Sequence, residues 1–153
     1  RNDIIESSTF NFNLDELLQI FKKSVVLNKN IKKDLGLNIV AIYKRSSNIL
    51  FSERKNSPEI IGSTDPNLFK SDFEKKLYKK IHDIRKYFSN AGKEENYEES
   101  LKVLFSAKSD VTAFFDNVIV NDDNPIIKKN RLELLQMLCK SFDNYFNFSK
   151  IEA

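Results

Sequence analysis

Three glycines and three prolines in 153 residues are too few to punctuate an all-β chain. Such a fold needs a tight turn about every ten residues, so the scarcity points to helices joined by few connections. The single cysteine, Cys139, rules out an internal disulfide and suits a reducing cytoplasm. With only one histidine, His82, beside it, the usual ligand set of a zinc site is missing. Three scattered glycines cannot build a phosphate-cradling loop. No run approaches the roughly 20 apolar residues that span a bilayer, and no secretory signal is visible, so no membrane partner is expected. Nor is there a nucleophile, base and orienting partner in any recognisable pattern. His82 reads as surface or boundary packing and Cys139 as a small buried hydrophobe. No catalytic and no metal residue is assigned.

What remains is an ordinary globular composition, 41% hydrophobic and 31% charged. The length suits one domain with a well-buried core. A net charge of +3 and a pI near 8.8 are only mildly basic and specify no nucleic-acid partner by themselves. The basic excess is concentrated in the first third of the chain. The sequence opens at Arg1 without methionine, in a polar stretch. It reads as part of a longer protein, with residues 1–12 a linker or disordered segment and 13–153 a single helical domain.

Periodicity supplies the helices. Asn13 and Glu16 have capping-box spacing, with Phe12 placed to staple onto Leu17. Leu14, Leu17, Leu18, Phe21 and Val25 then share one face, expected to point inward. A second helix carries Ile39, Ile42, Tyr43, Ile49 and Leu50 on its apolar side. Pro58, Gly62 and Pro66 mark a loop whose Ile60–Ile61 pair is expected to pack down. Ser71 and Glu74 form another capping box, ahead of the amphipathic series Phe73, Leu77, Ile81, Ile84 and Phe88. Asn96 and Glu99 cap a shorter helix with Tyr97, Leu101, Leu104 and Phe105 inward. Val111, Phe114, Phe115 and Val118 form the first arm of a helical hairpin. Asn124–Pro125 opens the second, with Ile127, Leu134, Leu135, Leu138, Phe142 and Phe146 as its stripe. The expected fold is all-α, an up-and-down bundle of about five or six helices.

Two sets of side chains stand out. Arg131 falls on the apolar stripe of the last helix, where an unpaired guanidinium is costly. Asp116, across the hairpin, is the expected partner in a structural pair. On the second helix Lys44, Arg45 and Asn48 share one side beside Tyr43. Basic groups hold phosphates, asparagine and arginine read base edges in single-stranded loops, and an aromatic ring stacks on an unpaired base. These four are the candidate RNA-binding residues; a solvated face is the plain alternative.

Several segments occur in order at short spacings. They are Tyr43–Leu50 (YKRSSNIL), Asp65–Phe69 (DPNLF), Tyr97–Leu101 (YEESL), Val111–Val120 (VTAFFDNVIV), Asn130-Arg131-Leu132 and Leu134–Leu135. Together they resemble the C-terminal domain of the bacterial glycyl-tRNA synthetase beta subunit. The resemblance implies a DALR-type helical domain similar to the anticodon-binding domain of arginyl-tRNA synthetase. It implies a cytoplasmic parent enzyme of alpha and beta subunits, a heterotetramer, that joins glycine to its tRNA using ATP and magnesium. The glycine and ATP site would lie in the alpha subunit, leaving no cofactor and no catalysis here. The expected partners are glycine tRNA, the alpha subunit and the rest of the beta subunit. A module that only assembles subunits or domains, without touching RNA, is the alternative; a continuous patch of exposed apolar residues would favour it. The chain departs from the family in its aromatic end, Phe142, Tyr145, Phe146 and Phe148, and in the acidic tip Asp122–Asp123.

Overall fold

The computed structural model describes residues 14–55, 59–90 and 96–151. These form six α-helices and two 3-10 turns, with no strand among the described residues. The helices are α1 (Leu14–Ile31), α2 (Asp34–Glu53), α3 (Asp72–Asn90), α4 (Tyr97–Phe105), α5 (Lys108–Asn117) and α6 (Pro125–Asp143). The turns are Pro66–Leu68, before α3, and Phe148–Lys150, after α6. An all-α bundle is therefore what forms. The proposed linker, the Asn13–Glu16 capping box, the Phe12 staple and the side chain of Leu14 lie outside the described residues.

The helix ends follow the sequence signals. Asn96 accepts a hydrogen bond from the Glu99 amide, and Asn124 accepts one from Ile126 with Pro125 at the first helical position. Gly36 lets the end of α1 meet the start of α2. A Cβ there would stand 2.3 Å from the Asn30 carbonyl oxygen and 2.6 Å from the Ile31 Cα, both backbone atoms.

Packing differs from a simple succession of hairpins. The closest partners are α2 with α6 and α3 with α5, whereas the consecutive helices α5 and α6 are not closely packed. The hairpin expected over Val111–Leu138 is thus corrected: a bent connection, residues 118–124, separates α5 from α6. The last helix is also more central than its stripe implies. Every residue from Arg131 to Cys139 is buried, including Glu133 and Gln136, because α2 and α3 both lean on α6 and the 59–65 segment straps across it.

That strap explains the buried polar groups on α6. Glu133 accepts hydrogen bonds from the amides of Ile61 (3.0 Å), Gly62 and Ser63 (2.9 Å). Asn130 accepts from the Asp65 amide (2.8 Å) and donates to the Asp65 carbonyl (3.0 Å). Gly62 has φ +82°, a conformation that disfavours any side chain, and its Cβ position faces the Met137 amide at 3.4 Å. Ile60 packs against the core as expected, but Ile61 is exposed.

The aromatic end seals one pole of the bundle. Phe148 is fully buried and meets Phe142 edge-on, ring centroids 4.9 Å apart, and Tyr43 at 5.6 Å. Tyr145 stacks on Phe88 at 4.5 Å. Aromatic pairs in such offset or edge-on geometries add to the value of their buried area.

The first helix overturns an expectation. Val26, Leu27 and Ile31 pack against the core, Lys23 lies over the rings of Tyr145 and Phe146, and Gln19 accepts from the Tyr97 hydroxyl. That inward face is opposite the stripe of Leu17, Leu18, Phe21 and Val25, all of which are exposed.

Candidate nucleic-acid interface

The outer side of α2 offers a row of accessible groups. Lys44, Asn48 and Phe51 fall at i, i+4 and i+7 and share one face. Asn48 is exposed, Lys44 half-buried, and Phe51 is 66% exposed. Among the described residues neither Lys44 nor Asn48 has a hydrogen-bond or ion-pair partner, so their donors are available. Phe51 was not singled out from the sequence. The signal was its spacing from Lys44, obscured because Tyr43, next to Lys44, was read as the aromatic of the set.

Tyr43 is removed from that set by the fold. It is 5% exposed, packed against Phe142 and Phe148, and its hydroxyl donates to Asp143 at 2.7 Å. Burial first, and then the Asp143 carboxylate, push its phenol pKa up. A ring so placed cannot stack on a base.

Arg45 is exposed, and its guanidinium carbon lies 4.2 Å from the Phe115 ring centroid. Stacking of this kind fixes the guanidinium plane and leaves donors at its edge for a ligand. Two grooves flank it. One, of about 240 Å³, is lined by Asn38, Ile42, Lys108, Thr112 and Asp116. The other, of about 360 Å³, is lined by Ile49, Ser52, Val118, Asn121 and Lys128. Lys128 is held at its edge by an ion pair with Glu53 at 2.8 Å. Amide, hydroxyl and cationic groups beside an exposed ring are suited to the edges and phosphates of unpaired nucleotides.

The expected Arg131–Asp116 pair does not form. Asp116 is exposed in the first groove, whereas Arg131 is buried and pairs with the buried Glu74 and the half-buried Asp122. Its Nε donates to Glu74 Oε1 at 3.0 Å; its Nη1 donates to Asp122 Oδ2 at 2.6 Å and to the Ile119 carbonyl at 2.8 Å. The expected partner, Asp116, depended on a hairpin that does not close, and Glu74 reads in sequence only as a capping-box residue. It is that as well. Glu74 Oε2 accepts from the Lys70 and Ser71 amides, each at 2.8 Å, while Oε1 turns to the arginine. The Asn124 amide first, and then Arg131, hold the Asp122 carboxyl below its ordinary pKa. The acidic tip is thus partly neutralised within the fold.

His82 is exposed and packs edge-on against Tyr78, ring centroids 4.4 Å apart. Cys139 is buried, and burial pushes its thiol up to about 12, so it stays protonated and unreactive at neutral pH. Among the described residues no three His, Cys, Asp or Glu side chains converge as a metal site, and no helix is long and apolar enough to cross a membrane.

The sequence is similar to those of known proteins. The chain is 34% identical over 141 residues to the glycine–tRNA ligase beta subunit of Rickettsia peacockii (strain Rustic), covering 92% of this chain and 19% of the relative. It is 35% identical over 125 residues to that of Rickettsia prowazekii (strain Madrid E), covering 82% and 18%. The Rickettsia canadensis (strain McKiel) beta subunit is 32% identical over 145 residues, covering 95% and 21%. The chain therefore spans about a fifth of the length of the curated relatives it matches. Residues 39–153 match the model of the DALR anticodon binding domain. That segment holds most of α2, all of α3 to α6, and the candidate interface except Asn38. The chain belongs to the DALR anticodon binding domain family.

Proposed function

We propose that this chain is the anticodon-stem-loop-binding domain of a glycine–tRNA ligase beta subunit. In that reading residues 1–12 are a linker and 13–153 a single domain. It binds RNA through the outer face of α2 and the grooves beside Arg45, and carries no chemistry of its own. The observation that supports the interface most is the accessible row Lys44, Asn48 and Phe51, on a helix largely inside the family-matched segment. Phe51 takes the stacking role first assigned to Tyr43, Lys44 and Arg45 meet phosphates, and Asn48 reads a base edge. The partners are glycine tRNA, the alpha subunit and the remainder of the beta subunit. ATP and magnesium belong to the parent enzyme's reaction in the cytoplasm. The described residues offer no carboxylate cluster that fits magnesium, and no step of that reaction is assigned to them.

Binding of a labelled glycine anticodon stem-loop, followed by fluorescence anisotropy, tests this reading. The cognate loop binds more tightly than one with altered anticodon bases, and rising salt weakens both. Phe51→Ala costs about 1–3 kcal/mol, roughly 5- to 150-fold in Kd, as for loss of one stacked base. Arg45→Ala and Lys44→Ala weaken binding to both loops and flatten the salt dependence. All three variants keep the parent's unfolding midpoint to within a few degrees, since none of these side chains is a core residue. Equal affinity for the cognate and altered loops counts against anticodon recognition.

A further inference from the structure

Among the described residues the stripe on α1 has no partner. Leu17 is 47% exposed, Leu18 48%, Phe21 64% and Val25 50%, and all four fall within one narrow sector of the helix. The opposite sector, with Gln19 and Lys23 in its first half, is the one laid on the bundle. An isolated amphipathic helix on a globular core does the reverse, burying its apolar side and wetting its polar side. Exposed large side chains gathered at i, i+1, i+4 and i+8 mark a contact surface rather than scattered surface leucines.

Two observations indicate what covers it. The family match begins at residue 39, so α1 lies ahead of the segment shared with the anticodon binding domain family at large. The beta-subunit relatives do include α1. An alignment covering 92% of the chain omits about a dozen residues at most, so it must reach into Leu14–Ile31. Those relatives also hold about four-fifths of their length outside the matched part. The helix is therefore shared with the beta-subunit relatives and lies outside the segment matched to the domain family. No cation interrupts the stripe itself, which suits an apolar protein surface and not a phosphate backbone.

We infer that the Leu17–Leu18–Phe21–Val25 face of α1 docks on an apolar surface of the same polypeptide outside these 153 residues. It fixes the domain against the body of the subunit while leaving the outer face of α2 open. This rests on the beta-subunit reading above. The two are tested separately, because stem-loop affinity does not depend on where α1 docks.

The experiment places the photo-crosslinking residue p-benzoylphenylalanine at position 21, and separately at position 18, in the intact polypeptide that carries this stretch. Lys79, exposed on α3, is the control position. Mixing light and 15N-labelled chains before irradiation distinguishes crosslinks within a chain from those between copies. From positions 18 and 21 the expected product is an intrachain crosslink to peptides outside the 153 residues, at least tenfold more abundant than any from position 79. Crosslinks that are absent, that fall within residues 1–153, or that join a second copy, the alpha subunit or bound tRNA overturn the inference. Position 18 serves as the second test should substitution at position 21 disturb folding.

Discussion

Replacing Arg131 with methionine destabilises the domain by about 3–5 kcal/mol, the range seen when one member of a buried ion pair is removed. Glu74 is fully buried, and one of its oxygens depends on the arginine Nε, so methionine leaves a carboxylate only half satisfied. The loss extends further, because Nη1 also holds Asp122 and the Ile119 carbonyl. That one side chain fixes the start of α3, the core of α6 and the connection after α5. Arg131→Lys loses less than methionine but does not restore stability, since an ammonium on a flexible stem cannot reproduce the guanidinium's fixed fork. The double variant Glu74→Gln/Arg131→Met is more stable than the sum of the two single losses, because the buried charge leaves with its partner. Urea titration gives these values, with an unchanged slope confirming a shift in stability rather than in cooperativity. A cost below about 1 kcal/mol for Arg131→Met places the pair among ordinary surface bridges and refutes its structural role.

Phe148→Ala has an effect of similar size, about 3–5 kcal/mol, by a different route. The ring is buried at the pole of the bundle and touches Tyr43, Phe142 and Phe146. Truncation leaves a cavity that neighbours anchored in α2 and α6 cannot fill. The backbone there is pinned as well, since the Phe148 amide donates to Asp143, whose other oxygen receives the Tyr43 hydroxyl. Tyr43→Phe, which keeps the packing and removes that one hydrogen bond, costs only about 1 kcal/mol. The contrast between the two variants, read from thermal or urea unfolding, separates packing from hydrogen bonding at this pole. It also gives the aromatic ending a structural role: Phe142 comes from the last turn of α6 and Phe146 and Phe148 from beyond it, all three buried, with Tyr145 partly buried beside them.

Helix positions and most core residues were legible because period-3.6 patterns report burial directly. Leu77, Ile81 and Ile84, or Leu134, Leu135 and Leu138, are inward as their spacing requires. The same reasoning failed on α1, where an apolar stripe implied an inward face. Periodicity identifies a side that avoids water, but not which protein surface provides shelter. It failed on α6 too, where the stretch from Arg131 to Cys139 is enclosed on all sides and keeps polar residues because a strap brings it backbone amides. Nothing local to Glu133 or Asn130 announces a partner some 65 to 72 residues earlier.

The candidate site was legible in part. Arg45 and Asn48 are on the surface as expected, and Lys44 is accessible beside them. Tyr43 was misplaced by one helical step: 100° from Lys44 is enough to turn a ring from solvent into the core. The Arg131 clasp was anticipated in kind and mistaken in partner, because a capping-box carboxylate with a second free oxygen is invisible in sequence. The segments that carried the family resemblance, DPNLF and NRL, act mainly in folding. Asp65 is tied to Asn130 and Arg131 to Glu74, so they hold the scaffold.

The most direct measurement is a heteronuclear NMR titration of the 15N-labelled chain with a glycine anticodon stem-loop, mapping amide shift changes residue by residue. The expected changes cluster on the outer side of α2 around Lys44, Asn48 and Phe51 and extend to Phe115 and Asn121 beside Arg45, leaving α1 unperturbed. Changes confined to the exposed stripe of α1, to the tip around Asp123, or absent at saturating RNA would contradict it.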